Sequence, residues 1–351
     1  MRFGTYHVFQ CPPWLEPDAV FAQEIARVRL AEALGYDSVW VPEQHFFPYC
    51  LSGDALHLMS HIAGMTSRVK IGSAVVNLVF THPLRFAERV AMLDYTSGGR
   101  AIVGVGRGYQ FPQYPVFGVD IDDSREIFNE SLDIILRAWR PEPFAYKGKH
   151  FDIPEVRLWP TPPRAPEEVL LHTAVSVPSV GASIDRGLPA ILSRTFDRIE
   201  TEAAWFTGYR EEVAKRRPDE VERFVDRTTV MKYVFVAPTR EEARTIGRKA
   251  FEWHYGLLGE VTTATAGSNV KHELYQDRAQ SGWPDNYDYD DWAENVMIYD
   301  DPKGVAEKIA VLRDAGVQNL ILWMGVGGME DSLVRRSMQL FADEVMPKFA
   351  R

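Results

Sequence analysis

Residues 41–46 read VPEQHF and place a carboxylate, an amide and an imidazole at consecutive positions, Glu43, Gln44 and His45. Imidazole titrates near neutrality, so a histidine beside a carboxylate is suited to general acid or base work. The competing reading is a core histidine in a shaped loop between Pro42 and Pro48. Further along, VGRGYQF offers Arg107 and Tyr109, and HTAVSVPS offers Ser176 and Ser179 ahead of a helix. A guanidinium is a permanent forked donor, and hydroxyls with free N–H groups at a helix N-terminus receive phosphate. Together these residues suggest a phosphate-bearing cofactor. Taken singly, the serines can be helix caps, and Arg107 can pair with Glu88 or Asp94. Asn77, Thr81 and His82 form a further polar group ahead of Pro83.

Side chains so far apart in sequence need a scaffold that gathers strand ends. An amphipathic segment, a glycine and an apolar run recur as RLAEALGYDSVWV, MLDYTSGGRAIVGVG, ASIDRGLPAILS and VLRDAGVQNLILW. Glycine supplies the left-handed residue after a helix, and the β-rich run returns to a parallel sheet. Strands are expected near 2–8, 37–41, 69–76, 100–106, 169–174, 188–193, 228–236 and 318–323, with helices between them. Eight such pairs favour a closed (β/α)₈ TIM barrel, one domain over 1–351, with catalytic groups at the carboxyl ends of the strands. Two stretches break the rhythm. Residues 140–168 read as a hairpin excursion, and 255–295 as an irregular insertion acting as an active-site lid over about 260–290. Gly259, Gly267 and Gly282 would be its hinges, with Trp283, Tyr287, Tyr289 and Trp292 as its seal.

Composition narrows the function classes. The chain has 351 residues, is 46% hydrophobic and carries a formal net charge of −10, with no long basic run. Nucleic acid and anionic membranes are therefore not expected partners. Two cysteines are too few for a disulfide framework or a multi-cysteine metal site, no metal is expected, and cytoplasm is the expected compartment.

The segments LAEALGYDSVWVPEQHF, VKIGSAVVNLVFTHPLRFAERVAMLDYTSGGRAIVGVGRGY, VFGVDIDDSREIFNE, HTAVSVPSVGASIDRGLPAIL and SMQLFADEVMP carry a resemblance in their order and spacing. Over about 340 residues the chain resembles the bacterial-luciferase-like flavin monooxygenases. The resemblance implies a (β/α)₈ barrel, reduced FMN as cosubstrate and O₂ as oxidant, with a flavin 4a-hydroperoxide as the oxygenating species. It places His45 as the catalytic histidine, assisting proton transfer beside the flavin, with Glu43 orienting its neighbours. Arg107, Ser176 and Ser179 fall on the phosphate-binding positions, with backbone donors at Val175 and Val177. Tyr109 would flank the ring system, and a non-prolyl cis peptide between Ala74 and Val75 would lie beneath it.

Gln44 stands where the family often has a second histidine, Val175 where the luciferase subunit is acidic, and Gly106 where that subunit has a reactive cysteine. Oxygenation of another small, largely apolar organic substrate is therefore expected in place of light emission. No dinucleotide fingerprint accompanies GVGRG, so a separate NAD(P)H:flavin reductase is implied as supplier. The resemblance also implies a dimer through ALHLMSHIAGM and RFAERVAMLDY. Three rival readings stand: a deazaflavin-dependent dehydrogenase on the same barrel, a hydrolase using Glu43, His45 and His82 as metal ligands, and a non-catalytic flavin-binding protein.

Overall fold

A computed structural model describes residues 1–262 and 287–350. Eight parallel strands close on themselves: β1 (Arg2–Tyr6), β2 (Ser38–Val41), β3 (Lys70–Asn77), β4 (Ala101–Gly106), β7 (Leu170–Ala174), β8 (Ala190–Leu192), β9 (Thr229–Val236) and β11 (Asn319–Trp323). β11 pairs with β1 through Arg2 opposite Asn319, and β8 pairs with β9 through Ile191 opposite Thr229, so the barrel has no free edge. All eight expected strands are present. Gly35 (φ 90°) and Gly316 (φ 102°) turn the chain from helix to strand in the left-handed conformation that their position requires.

The excursion after the fourth unit is a hairpin of β5 (Phe144–Lys147) against β6 (Asp152–Val156), antiparallel as expected. Both ends of the stretch expected to be irregular over 255–295 are helical. The helix Arg240–Thr262 runs past Tyr255, and Tyr289–Asn295 is a helix capped by the Asp288 carboxylate on the N–H groups of Asp290 and Asp291. A short strand, β10 (Ile298–Asp300), then pairs with the distal half of β9 outside the barrel. The cause is aromatic packing: Tyr255 stacks on Tyr287 with centroids 4.2 Å apart, and Trp292 lies against both Tyr255 and Phe251. Gly259 falls inside the helix, and the lid expected near 260–290 lies, from 263 to 286, outside the described residues.

The inside of the barrel is filled by side chains. Gly4 and Gly72 lack a Cβ where the Trp40 indole crosses toward them, so the ring occupies the barrel floor. Outside the strands, the fully buried Lys232 on β9 meets Glu202 on the helix Ile199–Arg216 at 2.5 Å. Among the described residues, no helix is long and apolar enough to cross a membrane.

Candidate functional site

β2 ends at Val41, and the next residues are tied to the end of β3. The Glu43 N–H donates to the Val75 carbonyl (3.1 Å), Glu43 Oε1 accepts the Asn77 N–H (3.0 Å), and the Asn77 amide donates to the Glu43 carbonyl (2.9 Å). Glu43 is thus a buried clamp between two strand ends. His45 Nε2 lies 3.8 Å from Glu43 Oε1, beyond hydrogen-bond range, and is buried with no hydrogen-bond partner. Asn77 Oδ1 is likewise buried and unmatched. Phe46, Phe80 and Phe117 surround the imidazole at centroid separations of 5.6, 6.0 and 4.8 Å. Phe46 holds φ at 71°, a conformation that costs energy for a bulky residue and is found at functional loops. Gln44 serves the scaffold: its Oε1 accepts from Gln113 Nε2 at 2.8 Å.

The peptide between Ala74 and Val75 is cis, and the pairing of β3 with β4 shifts register between Ser73 and Val76. The Tyr6 hydroxyl crosses the barrel mouth to donate to the Ala74 carbonyl (2.7 Å). Gly106 leaves room for this bulge, since a Cβ there would come 2.8 Å from Val75 Cγ2. Tyr109 donates to the Tyr49 hydroxyl at 3.0 Å. Burial first, then neighbouring hydroxyls, holds Tyr6 and Tyr49 well above the ordinary phenol range, so both stay protonated donors. Behind Tyr49, the fully buried His254 is held between Gln10 (2.8 Å) and Tyr233 (2.9 Å), and burial lowers its pKa to about 3.

Arg107 and the serine turn come together through strand register. Val105 on β4 sits opposite His172 on β7, so the segments that follow, 107–109 and 175–179, leave adjacent strand ends. Arg107 Nη1 reaches the Ser124 hydroxyl (3.4 Å), at the start of the helix Ser124–Ala138. The suggested partners are engaged elsewhere: Asp94 with Arg164, and Glu88 with Arg85. Ser179 Oγ accepts the N–H groups of Val175 (3.1 Å) and Ser176 (3.0 Å), and lies 3.1 Å from Ser176 Oγ, so both serines cap the helix Val177–Asp185. Val175 and Val177 are exposed. Arg194, which sequence reasoning missed, donates to the Val175 carbonyl (3.0 Å) and stacks over Trp205. It follows β8 by two residues, and asking that strand end what it offers would have found it.

His82 stands apart from this group. It caps the helix Pro83–Thr96 by accepting the Leu84 N–H and packs against Phe151. Glu43, His45 and His82 do not converge as ligands. The acidic and imidazole group that does converge among the described residues is Asp123, Glu126 and His150, where the Lys149 ammonium bonds both carboxylates.

Comparison with known proteins gives three likenesses and a family. A family model described as luciferase-like monooxygenase matches residues 1–319. The alkanal monooxygenase alpha chain of the Kryptophanaron alfredi symbiont is 27% identical over 355 residues, 99% of this chain and 98% of that one. An F420-dependent glucose-6-phosphate dehydrogenase of Amycolatopsis mediterranei is 26% identical, over 91% of each chain. Among solved structures, the oxygenating constituent of 3,6-diketocamphane monooxygenase from Pseudomonas putida, a type II Baeyer-Villiger monooxygenase in complex with FMN, superposes with a TM-score of 0.77. It is 21% identical, covers 99% of this chain and 98% of that one, and at that identity shares the fold.

Proposed function

This chain belongs to the luciferase-like monooxygenase family, and from that premise we propose that it is the oxygenating component of a two-component system using reduced FMN and O₂. Its substrate is a small, largely apolar organic molecule. The observation that carries the reading is the buried, unmatched Nε2 of His45 at the barrel mouth, ringed by phenylalanines. A polar atom in that state calls for a ligand partner.

The residues present fit FMN. Arg107, Ser176 and Ser179 offer a charge-assisted donor set for its phosphate, with the Val177 backbone alongside, while the Val175 N–H, given to Ser179 Oγ, would reach a phosphate only by releasing that bond. Ala74 and Val75, half-buried on the β3 bulge, offer an apolar bed, Tyr109 a flanking ring, and Asn77 Oδ1 an unmatched acceptor. Reduced FMN, when bound, activates O₂ for transfer of one oxygen atom. The chain's own groups then have separate tasks. His45 Nε2 holds or delivers a proton beside the oxygenation centre, and Glu43, committed to Asn77 and Val75, fixes the loop that aims it. Phe46, Phe80 and Phe117 keep water from that proton and shape an apolar space for the substrate.

Because such a chain does not reduce its own flavin in this reading, an NAD(P)H:flavin reductase supplies it. Met92 and Tyr95, exposed on the helix Pro83–Thr96, are the apolar positions available to a dimer contact. The test is anaerobic titration with reduced FMN and with reduced deazaflavin, followed by a substrate screen under ¹⁸O₂. Binding of reduced FMN and label in the product support the proposal. Binding of the deazaflavin alone, with hydride transfer and no label, would sink it in favour of the dehydrogenase reading, which the F420-dependent relative keeps in view.

A further inference from the structure

At the opposite mouth of the barrel, a cavity of about 290 Å³ opens below the Trp40 floor. Its walls come from the amino ends of seven strands, and four cations, Arg2, Arg68, Lys70 and Arg227, face it against two carboxylates, Asp37 and Asp226. In a chain of formal net charge −10, that local excess of positive charge is a reversal.

Both carboxylates are already engaged. Asp226 takes a forked ion pair from Arg2, with contacts of 2.7 and 3.3 Å, and Asp37 accepts the Phe3 N–H at 2.8 Å. Arg68 spends its donors on the carbonyls of Tyr36 and Glu32. Two cationic donors are left over. The ammonium of Lys70, an exposed residue at the cavity rim, has no hydrogen bond or ion pair to the described residues, and Arg227, whose Nη2 donates to the Glu168 carbonyl, keeps its Nε buried without a partner. Partial burial first, then the guanidinium groups of Arg2, Arg227 and Arg164, pulls Lys70 below the ordinary lysine range, and burial with Arg164 does the same to Arg227. Like charges gathered in a recess with an unsatisfied donor are costly unless an anion completes them.

We infer that this cavity is a second ligand site, distinct from the flavin mouth, which takes a small phosphoryl dianion between Lys70 and Arg227. Two negative charges match the excess among the lining residues, with Glu168 beside Arg227 and Glu32 beside Arg68 as the nearest further carboxylates, and the oxygens meet the two unused donors. The shared chemistry is the phosphoryl group, carried by free phosphate or by a short phosphomonoester whose carbon end lies against Ile102 and Leu171.

The test uses calorimetric titration of the full chain with inorganic phosphate and, separately, with glycerol 3-phosphate, at fixed ionic strength. Because the proposed flavin clamp also attracts phosphate, both titrations are done in an Arg107→Ala background. One saturable site is expected there, with Lys70→Gln added raising Kd about tenfold, the loss of one charge-assisted contact. Tighter uptake of the ester names an organic phosphate, and equal uptake names free phosphate. Arg227→Gln serves as a second probe, and a thermal upshift with phosphate that chloride at equal ionic strength does not reproduce gives an independent readout. Absence of a saturable site, an unchanged Kd in both variants, or an equal upshift with chloride would each overturn the assignment, leaving a solvated basic crevice.

Discussion

His45 Nε2 and Glu43 Oε1 lie 3.8 Å apart, neighbours that do not bond. The carboxylate oxygen already accepts the Asn77 N–H, so the nearest acid is occupied with holding β2 to β3. The imidazole edge is thereby left for whatever enters the barrel mouth.

It follows that His45→Ala should bind reduced FMN with nearly unchanged affinity while product formation falls by about 10²-fold or more, the scale of general acid–base assistance. Anaerobic flavin titration beside turnover measures both. Full turnover in the variant would remove His45 from the mechanism.

Arg107→Ala should act in the opposite sense, weakening flavin binding by about 1.5–3 kcal/mol, the worth of a hydrogen bond to a charged group. Riboflavin, which lacks the phosphate, should be indifferent to the substitution. A dissociation constant for FMN within twofold of the parent would place the phosphate elsewhere.

Lys232 and Glu202 test how the barrel holds its outer shell. Lys232 is fully buried, and burial pushes Glu202 up to about 7 against the pull of the lysine. Lys232→Met should cost roughly 3–5 kcal/mol by stranding the carboxylate, whereas Lys232→Met with Glu202→Leu should recover most of it. Urea unfolding of the single and double variants decides this, and equal losses in both would show that the packing, not the charge, is what matters.

Much of this was legible in the residues, and the exceptions have physical causes. Four barrel strands, β2, β4, β8 and β11, announce themselves as β-rich runs introduced by the helix-ending Gly35, Gly99, Gly187 and Gly316, a signal local in sequence, and the other four announce themselves by composition alone, as apolar β-rich runs. The helix Tyr289–Asn295 does not, since YDDWAEN is polar at most positions and is ordered by Trp292 and Tyr289 packing on residues some 40 positions away. β10, three residues long, has its place only through pairing with Val234–Val236 of β9, more than 60 residues earlier. Of the site, His45 and Glu43 could be named from residue type, but that Glu43 is a clamp depends on Asn77, 34 residues on. Arg194 escaped because its role runs through the backbone carbonyl of Val175.

The last prediction concerns acid stability. His172 packs against Phe128, and burial, with Arg186 nearby, lowers its pKa to about 4; burial alone lowers that of His254 to about 3. In the unfolded chain both titrate near their ordinary value of about 6.5. Below that pH the unfolded state binds protons that the native state refuses, so stability is complete above about 6.5 and falls with acidification, until pH 4 for His172 and pH 3 for His254. Each group contributes a slope approaching roughly 1.4 kcal/mol per pH unit. His172→Leu removes one of the two. Urea unfolding at pH 7.5, 6 and 5 should show the parent losing stability relative to the variant by about that slope below pH 6. A difference between them that stays constant with pH would mean that His172 is charged in the native protein or protected in the unfolded one.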